Sequence, residues 1–180
     1  MKSLAELMAF YSSYHRDPRN RLTHFFGVPA IVYAILILMS FGRIPLGGLE
    51  ISVAAIFVGV MLVYYLSLDW VLGLTMAAIF VPMCWAAQAT AAAGLGTALT
   101  LFGVAFVGGW IVQLIGHKFE GNRPALLDNL FQTLVSPIFL TAEIFFMLGL
   151  KLPLKEEVER RVLTRDFAGA EHAFKQARAG

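Results

Sequence analysis

Apolar residues along this chain fall into four long runs, 25–42, 49–68, 70–93 and 96–116, separated by very short polar breaks. Each run approaches the roughly 20 residues that an α-helix needs to cross about 30 Å of hydrocarbon, so each predicts a transmembrane helix. The breaks are RIPLGG after the first run, little more than Asp69 after the second, and Gly94 with Leu95 after the third. Links this short suit antiparallel helices lying side by side. Pro82 is expected to kink the third span. Gly59, Gly73, Gly103, Gly108 and Gly109 offer places where helix backbones can approach closely.

The two ends follow a different pattern. Leu4, Leu7, Met8, Tyr11 and His15 recur at helical spacing, which predicts an amphipathic helix lying against the membrane or the bundle. Asp17 followed by Pro18 reads as a helix cap with proline at the first helical position. Beyond Arg123 the pattern weakens: residues 126–135 are mixed, Pro137 interrupts, and 138–150 form a short apolar stretch containing Glu143. That stretch is either a fifth span or a segment that dips in and returns. If it returns, nearly all basic residues lie on one side and Arg43 stands alone on the other; if it crosses, they divide almost evenly. The positive-inside rule favours the first arrangement, with both termini cytoplasmic. From Lys151 onward a charged, helical surface tail is expected, with EEVERR as a solvated face.

Composition agrees with this layout. Of 180 residues, 58% are hydrophobic and 14% charged, both far from the balance of a soluble domain. The expected fold is all-α, a polytopic membrane helical bundle of four full spans plus a short fifth, re-entrant or spanning segment. It forms one integral membrane domain over 1–180, with the amphipathic helix in 1–17, the bundle in 25–150 and the charged tail in 151–180. The net charge of +2 gives no case for a nucleic-acid partner. Cys84 stands alone, so it supplies neither an internal disulfide nor a ligand cluster. The first apolar run follows a polar, basic segment and lacks a small-residue cleavage site, which makes it a retained span.

Four histidines carry the candidate chemistry. His15 and His24 flank the start of the first span and His117 ends the fourth, so an even number of crossings returns all three to one membrane face. His172, in the polar tail, is incidental. Asn20 and His24 share a helix face, as do Gln113, His117 and Glu120 at spacings of four and three. Asp69 lies at the same face, and reads first as a helix-ending loop residue. Two or three neutral imidazoles plus a carboxylate, with positions left open, is an arrangement suited to non-haem iron. Amides such as Asn20 or Gln113 are placed to orient those rings. The bland alternative is that border histidines are merely interfacial, Glu120 pairs with Lys118 and Arg123 at the surface, and the tryptophans pack or sit at the interface. No HExxH, paired CxxC or HxxHH box is present.

Two stretches resemble a known family. YHRDPRNRLTHFFGVP, residues 14–29, and GGWIVQLIGHKFEGNRPALLDNLFQTLVSPIFLTAE, residues 108–143, are similar to the signatures of the Mpo-like membrane proteins, the 2-hydroxy fatty acid dioxygenases of phytosphingosine breakdown. The resemblance implies an iron(II)-dependent dioxygenase that uses molecular oxygen to shorten a 2-hydroxy fatty acid by one carbon, the α-oxidation of fatty acids. It implies His15, His24 and His117 as catalytic metal ligands, with Glu120 a further ligand candidate and Asn20 a ligand or supporting residue. Glu143 matches the family pattern without an assignable role. A 2-hydroxy acid can grip iron through its hydroxyl and carboxylate, and Arg16, Arg19, Arg21 or Arg123 are candidates to hold that carboxylate. The acyl chain would run between the helices. The expected location is a bacterial inner membrane, or the endoplasmic reticulum in a eukaryote, with the active face cytoplasmic.

Two other function classes compete. A transporter would use Asp69, Gln88 and Glu143 as pathway residues, but the polar groups cluster at one border. A non-catalytic lipid-binding protein would leave the histidines interfacial.

Overall fold

The computed structural model describes residues 3–120 and 131–164. Its helices are α1 (Leu4–Tyr14), α2 (Pro18–Met39), α3 (Val53–Leu68), α4 (Trp70–Ala92), α5 (Leu95–Glu120), α6 (Phe131–Met147) and α7 (Leu152–Thr164), with strands β1 (Arg43–Leu46) and β2 (Leu49–Ser52) between α2 and α3. The all-α polytopic bundle expected from the sequence is what forms.

Local chemistry sets the boundaries. Asp17 caps α2 by accepting the Arg19 N–H at 2.8 Å, with Pro18 at the first helical position, so α2 begins seven residues before its apolar run. Its 22 residues span about 33 Å, and α4 and α5 are comparably long. The helix continues through Pro29, as α4 does through Pro82 and α6 through Pro137.

The second expected span needs correction. Residues 49–52 pair with 43–46 in an antiparallel hairpin, with Arg43 opposite Ser52 and Leu46 opposite Leu49. Gly47 and Gly48 both take positive φ, 56° and 92°, as a two-residue hairpin turn of the favoured twist requires. Helix α3 therefore starts at Val53, where the Ser52 hydroxyl caps it. At 16 residues it spans about 24 Å, shorter than a full-length span, yet it still carries the chain from the hairpin end back to the end where Tyr65 and Asp69 meet Leu134 and Lys151. Three helices, α2, α4 and α5, meet the length and apolarity of a span among the described residues.

Two close approaches shape the bundle. Helix α2 lies antiparallel against α5: a Cβ on Gly27 would sit 2.9 Å from the Gly109 carbonyl oxygen, and one on Gly109 would sit 3.0 Å from the Gly27 oxygen. Nearer the histidine end, a Cβ on Gly116 would overlap Thr23 and Asn20. Gly73 lets α4 meet the backbone of Leu66 on α3 in the same way. Gly59, Gly103 and Gly108 instead face open space. Outward positions such as Val81, Trp85, Val104 and Val107 are exposed and apolar, as a lipid-facing surface requires.

Helix α1 is buried against α6 through Leu4, Leu7, Met8 and Tyr11. Polar contacts place α6 at the end of the bundle where α2 begins and α5 ends. The Leu134 carbonyl accepts from Tyr65, Ser136 meets Tyr11, Thr141 reaches Met76 and Glu143 pairs with Arg21. Helices α6 and α7 then meet at a 117° bend. There Gly149 and Lys151 both take left-handed backbone, and Lys151 Nζ reaches Asp69 Oδ2 at 2.6 Å. Segment 138–150 thus begins and ends at one side of the bundle. The α7 surface helix is solvated on its Glu157, Arg160 and Arg161 face but buries Val158.

Candidate metal centre

Three local structures bring three histidines together. Helix α1 ends at Tyr14, and His15 leaves it with its backbone N–H bonded to the Ser12 carbonyl at 3.2 Å. Arg16 and Asp17 turn the chain into α2, whose second turn carries His24. His117 arrives from the last turn of α5, laid against α2 by the glycine contacts. All three are buried, at 2%, 2% and 7% exposure.

The rings stand edge-on around a common point. Their centroids are 4.6 Å (15 to 24), 5.3 Å (15 to 117) and 5.1 Å (24 to 117) apart, with interplanar angles of 79°, 60° and 88°. One nitrogen from each ring lies within 4.8 Å of the others. His15 Nε2 and His24 Nε2 are 3.2 Å apart.

The hydrogen bonds on the far side of two rings fix their tautomers. His15 Nδ1 lies 2.9 Å from the Tyr11 carbonyl oxygen, and His24 Nδ1 lies 2.8 Å from the Asn20 carbonyl oxygen. A carbonyl only accepts, so each Nδ1 carries a proton, and in its neutral form each ring turns an Nε2 lone pair inward. At this distance the two Nε2 atoms need either a proton shared between them or a metal ion bound by both lone pairs. A metal about 2.1 Å from each nitrogen separates adjacent donors by about 3.0–3.4 Å, which brackets the separation of His15 and His24. Three imidazole nitrogens are donors that suit a divalent transition metal, with the His15–His24 pair already at the spacing of adjacent ligands.

Other residues hold this geometry. Tyr11 stacks flat on His15, with centroids 4.0 Å apart and planes 5° from parallel, and its hydroxyl meets Ser136 Oγ at 2.7 Å. Burial pushes the Tyr11 phenol well above its ordinary value, so it remains protonated. Arg21 Nε donates to the His15 carbonyl at 2.8 Å while its Nη1 donates to Glu143 Oε2 at 3.1 Å. Tyr11 appears in the sequence only as part of an apolar helical stripe; its place four residues before His15 is the one signal of this role.

The remaining candidates fall as follows. Asn20 supplies its backbone carbonyl to His24, and its buried side chain faces Gly116 on α5. Gln113 lies one turn deeper along the seam, over Gly27. Glu120 closes α5, but its side chain, like Arg123 and His172, lies outside the described residues. Arg19 pairs with Asp17 at 2.8 Å and covers the Phe119 ring at 4.5 Å. Asp69 caps α4, accepting the Val71 and Leu72 N–H groups at 3.0 Å each, as a helix-ending residue should. Partial burial alone would raise its pKa, but Lys151 and those amides outweigh this and hold it below the usual carboxylate value. Beside the histidines, a cleft of about 660 Å³ opens between α7, the end of α6 and the α1–α2 corner.

No solved structure matches this chain. A curated relative, the 2-hydroxy-palmitic acid dioxygenase MPO1 of Saccharomyces cerevisiae, is 34% identical over 163 residues, covering 87% of each chain. The family model described as "2-hydroxy-palmitic acid dioxygenase Mpo1-like" matches residues 1–148, a stretch that holds all three buried histidines and both motif blocks. The chain belongs to the Mpo1-like family.

Proposed function

We propose that this protein is an iron(II)-dependent membrane dioxygenase that shortens 2-hydroxy fatty acids by one carbon. The observation that carries this reading is the convergence of the His15, His24 and His117 nitrogens, two of them turned inward because the Nδ1–H on the opposite side of each ring donates to a backbone carbonyl. The yeast relative's name supports the substrate class. The reaction balances without an outside reductant: a 2-hydroxy acid and one O2 give the acid one carbon shorter, CO2 and water, a four-electron exchange.

In this mechanism His15, His24 and His117 hold the iron. Iron(II) supplies a centre at which oxygen and a chelating 2-hydroxy carboxylate can be brought together. The chain's own residues do the rest. The Tyr11 and Asn20 carbonyls keep the Nδ1 protons of His15 and His24, so both rings stay neutral donors. Tyr11 stacks on His15 and, anchored by Ser136, prevents that ring from tilting. Arg21 fixes the His15 main chain from α2 while bridging to α6. Burial of all three rings excludes bulk water from the centre.

We place the site at the cytoplasmic border of the membrane, with both described ends of the chain on that side. The return of α6 and α7 to the histidine end leaves Arg43 as the basic residue of the far side among the described residues, which the positive-inside rule favours.

Anaerobically purified protein should contain about one iron per chain. Given 2-hydroxypalmitate and oxygen, it should release pentadecanoic acid and CO2 in equal amounts. Iron-loaded protein that leaves every 2-hydroxy acid unchanged under oxygen would overturn the reading.

A further inference from the structure

The hairpin between α2 and α3 has two chemically different faces. Directly opposed residues of an antiparallel pair project to the same side, and successive residues of a strand alternate. The register therefore puts Ile44 with Ile51 and Leu46 with Leu49 on one face, and Arg43 with Ser52 and Pro45 with Glu50 on the other. The first face is wholly apolar, yet the protein leaves most of it uncovered. Ile44, Leu46 and Leu49 are 42%, 53% and 72% exposed, and Ile51 is half-buried. Leu38 and Phe41, at the end of α2, carry the same exposed apolar surface up to the hairpin root. A two-stranded hairpin is marginal by itself in water and needs its apolar face packed on something.

Two features identify what covers it. The root is held to the spans: the Val53 N–H donates to the Gly42 carbonyl at 2.9 Å, and a Cβ on Gly42 would sit 2.7 Å from Val53 Cγ2. The strands thus leave directly from the ends of two bundle helices. Depth is the second feature. Helix α3 runs only about 24 Å from this root to Asp69, whose ion pair with Lys151 belongs at the near border of the hydrocarbon. Hydrocarbon about 30 Å thick then extends about 6 Å past the root, and any tilt of α3 increases that overlap. We propose that the hairpin is an interfacial anchor. Its Ile44, Leu46, Leu49 and Ile51 face lies on the acyl chains of the far leaflet, and Arg43 and Glu50 face headgroups and water. Lipid, and not a second copy of the chain, is the partner, because the face starts below the hydrocarbon border and continues the lipid-facing surface of α2. This inference does not depend on the oxidative chemistry proposed above.

The test is electron paramagnetic resonance of nitroxide labels on single cysteines in the full chain, carried in phosphatidylcholine–phosphatidylglycerol nanodiscs. The variants are Leu46→Cys, Leu49→Cys and Glu50→Cys, each with Cys84→Ala so that one thiol is labelled. Oxygen concentrates in hydrocarbon while a polar nickel chelate stays in water, so the ratio of oxygen to nickel accessibility should be about fivefold higher for Leu46→Cys and Leu49→Cys than for Glu50→Cys. Hydroxyl-radical footprinting of the unsubstituted chain in the same nanodiscs guards against a label that disturbs the fold. There Leu46 and Leu49 should be oxidised severalfold more slowly than in the unfolded chain, and Pro45 nearly as fast. Equal nickel accessibility at all three positions, or unprotected leucines in the footprint, would place the hairpin in water and overturn the anchor. Shielding of positions 46 and 49 from both reagents, with dipolar broadening between labels on different chains, would overturn it in favour of a second copy.

Discussion

Arg21 meets Glu143 across 122 positions of sequence, and the same guanidinium grips the carbonyl of His15. One side chain thereby couples the last apolar helix to the corner that presents a candidate ligand. With side chains 34% and 17% exposed, the pair is partly withdrawn from water.

Glu143→Gln should therefore lower stability by about 1–2 kcal/mol, a loss of a few degrees in the unfolding midpoint. Arg21→Lys keeps the charge but loses the fork that spans both partners, and should weaken iron binding by about tenfold. Metal titration of both variants separates the effects: a role confined to stability would leave the affinity of Arg21→Lys unchanged.

Replacing His15, His24 or His117 singly by alanine should remove bound iron and turnover while membrane insertion persists. Elemental analysis of the purified variants checks this. Full iron content in any one of them removes that histidine from the centre.

Gly116→Ala should cost about 1–3 kcal/mol, because the new methyl group would overlap Thr23 and Asn20 and push α5 from α2. The same step should reduce iron affinity, since it separates His117 from His24. Gly103→Ala and Gly108→Ala, where a Cβ meets nothing within 4 Å, should be neutral in both assays. Equal behaviour of all three variants would show that the seam does not set the helix spacing.

Asp69 gives a pH prediction. Its folded-state pKa lies below the ordinary 3.8, so the clasp with Lys151 and the α4 cap contribute fully above that value. The contribution is lost only as pH falls below 3.8 toward the folded-state value. Fluorescence of the adjacent Trp70 should report this acid transition in the native chain, and Asp69→Asn should abolish it.

Much of this was legible in the sequence because its strongest signals are periodic or countable. Apolar run lengths gave α2, α4 and α5, Asp17 with Pro18 gave the start of α2, and counting crossings brought His24 and His117 to one face. The hairpin was hidden because Leu49 and Ile51 continue the apolar run into α3, and only the Gly47–Gly48 pair marks a turn. Pro137 looked like an interruption, yet α6 runs through it. The support of His15 was invisible for a different reason. The Tyr11 stack, the Ser136 anchor and the Arg21 bridge join residues through the folded chain, and no spacing encodes them.

The seam of Gly27, Gly109 and Gly116 has a consequence for how the proposed centre would take up an ion. Helix spacing at the histidines follows from side chains that are missing, so packing of α2 on α5 by itself brings His24 and His117 together. Small zinc domains depend on their metal in order to fold. If the proposed centre holds iron, this chain is expected to lose it to a chelator and recover it without unfolding.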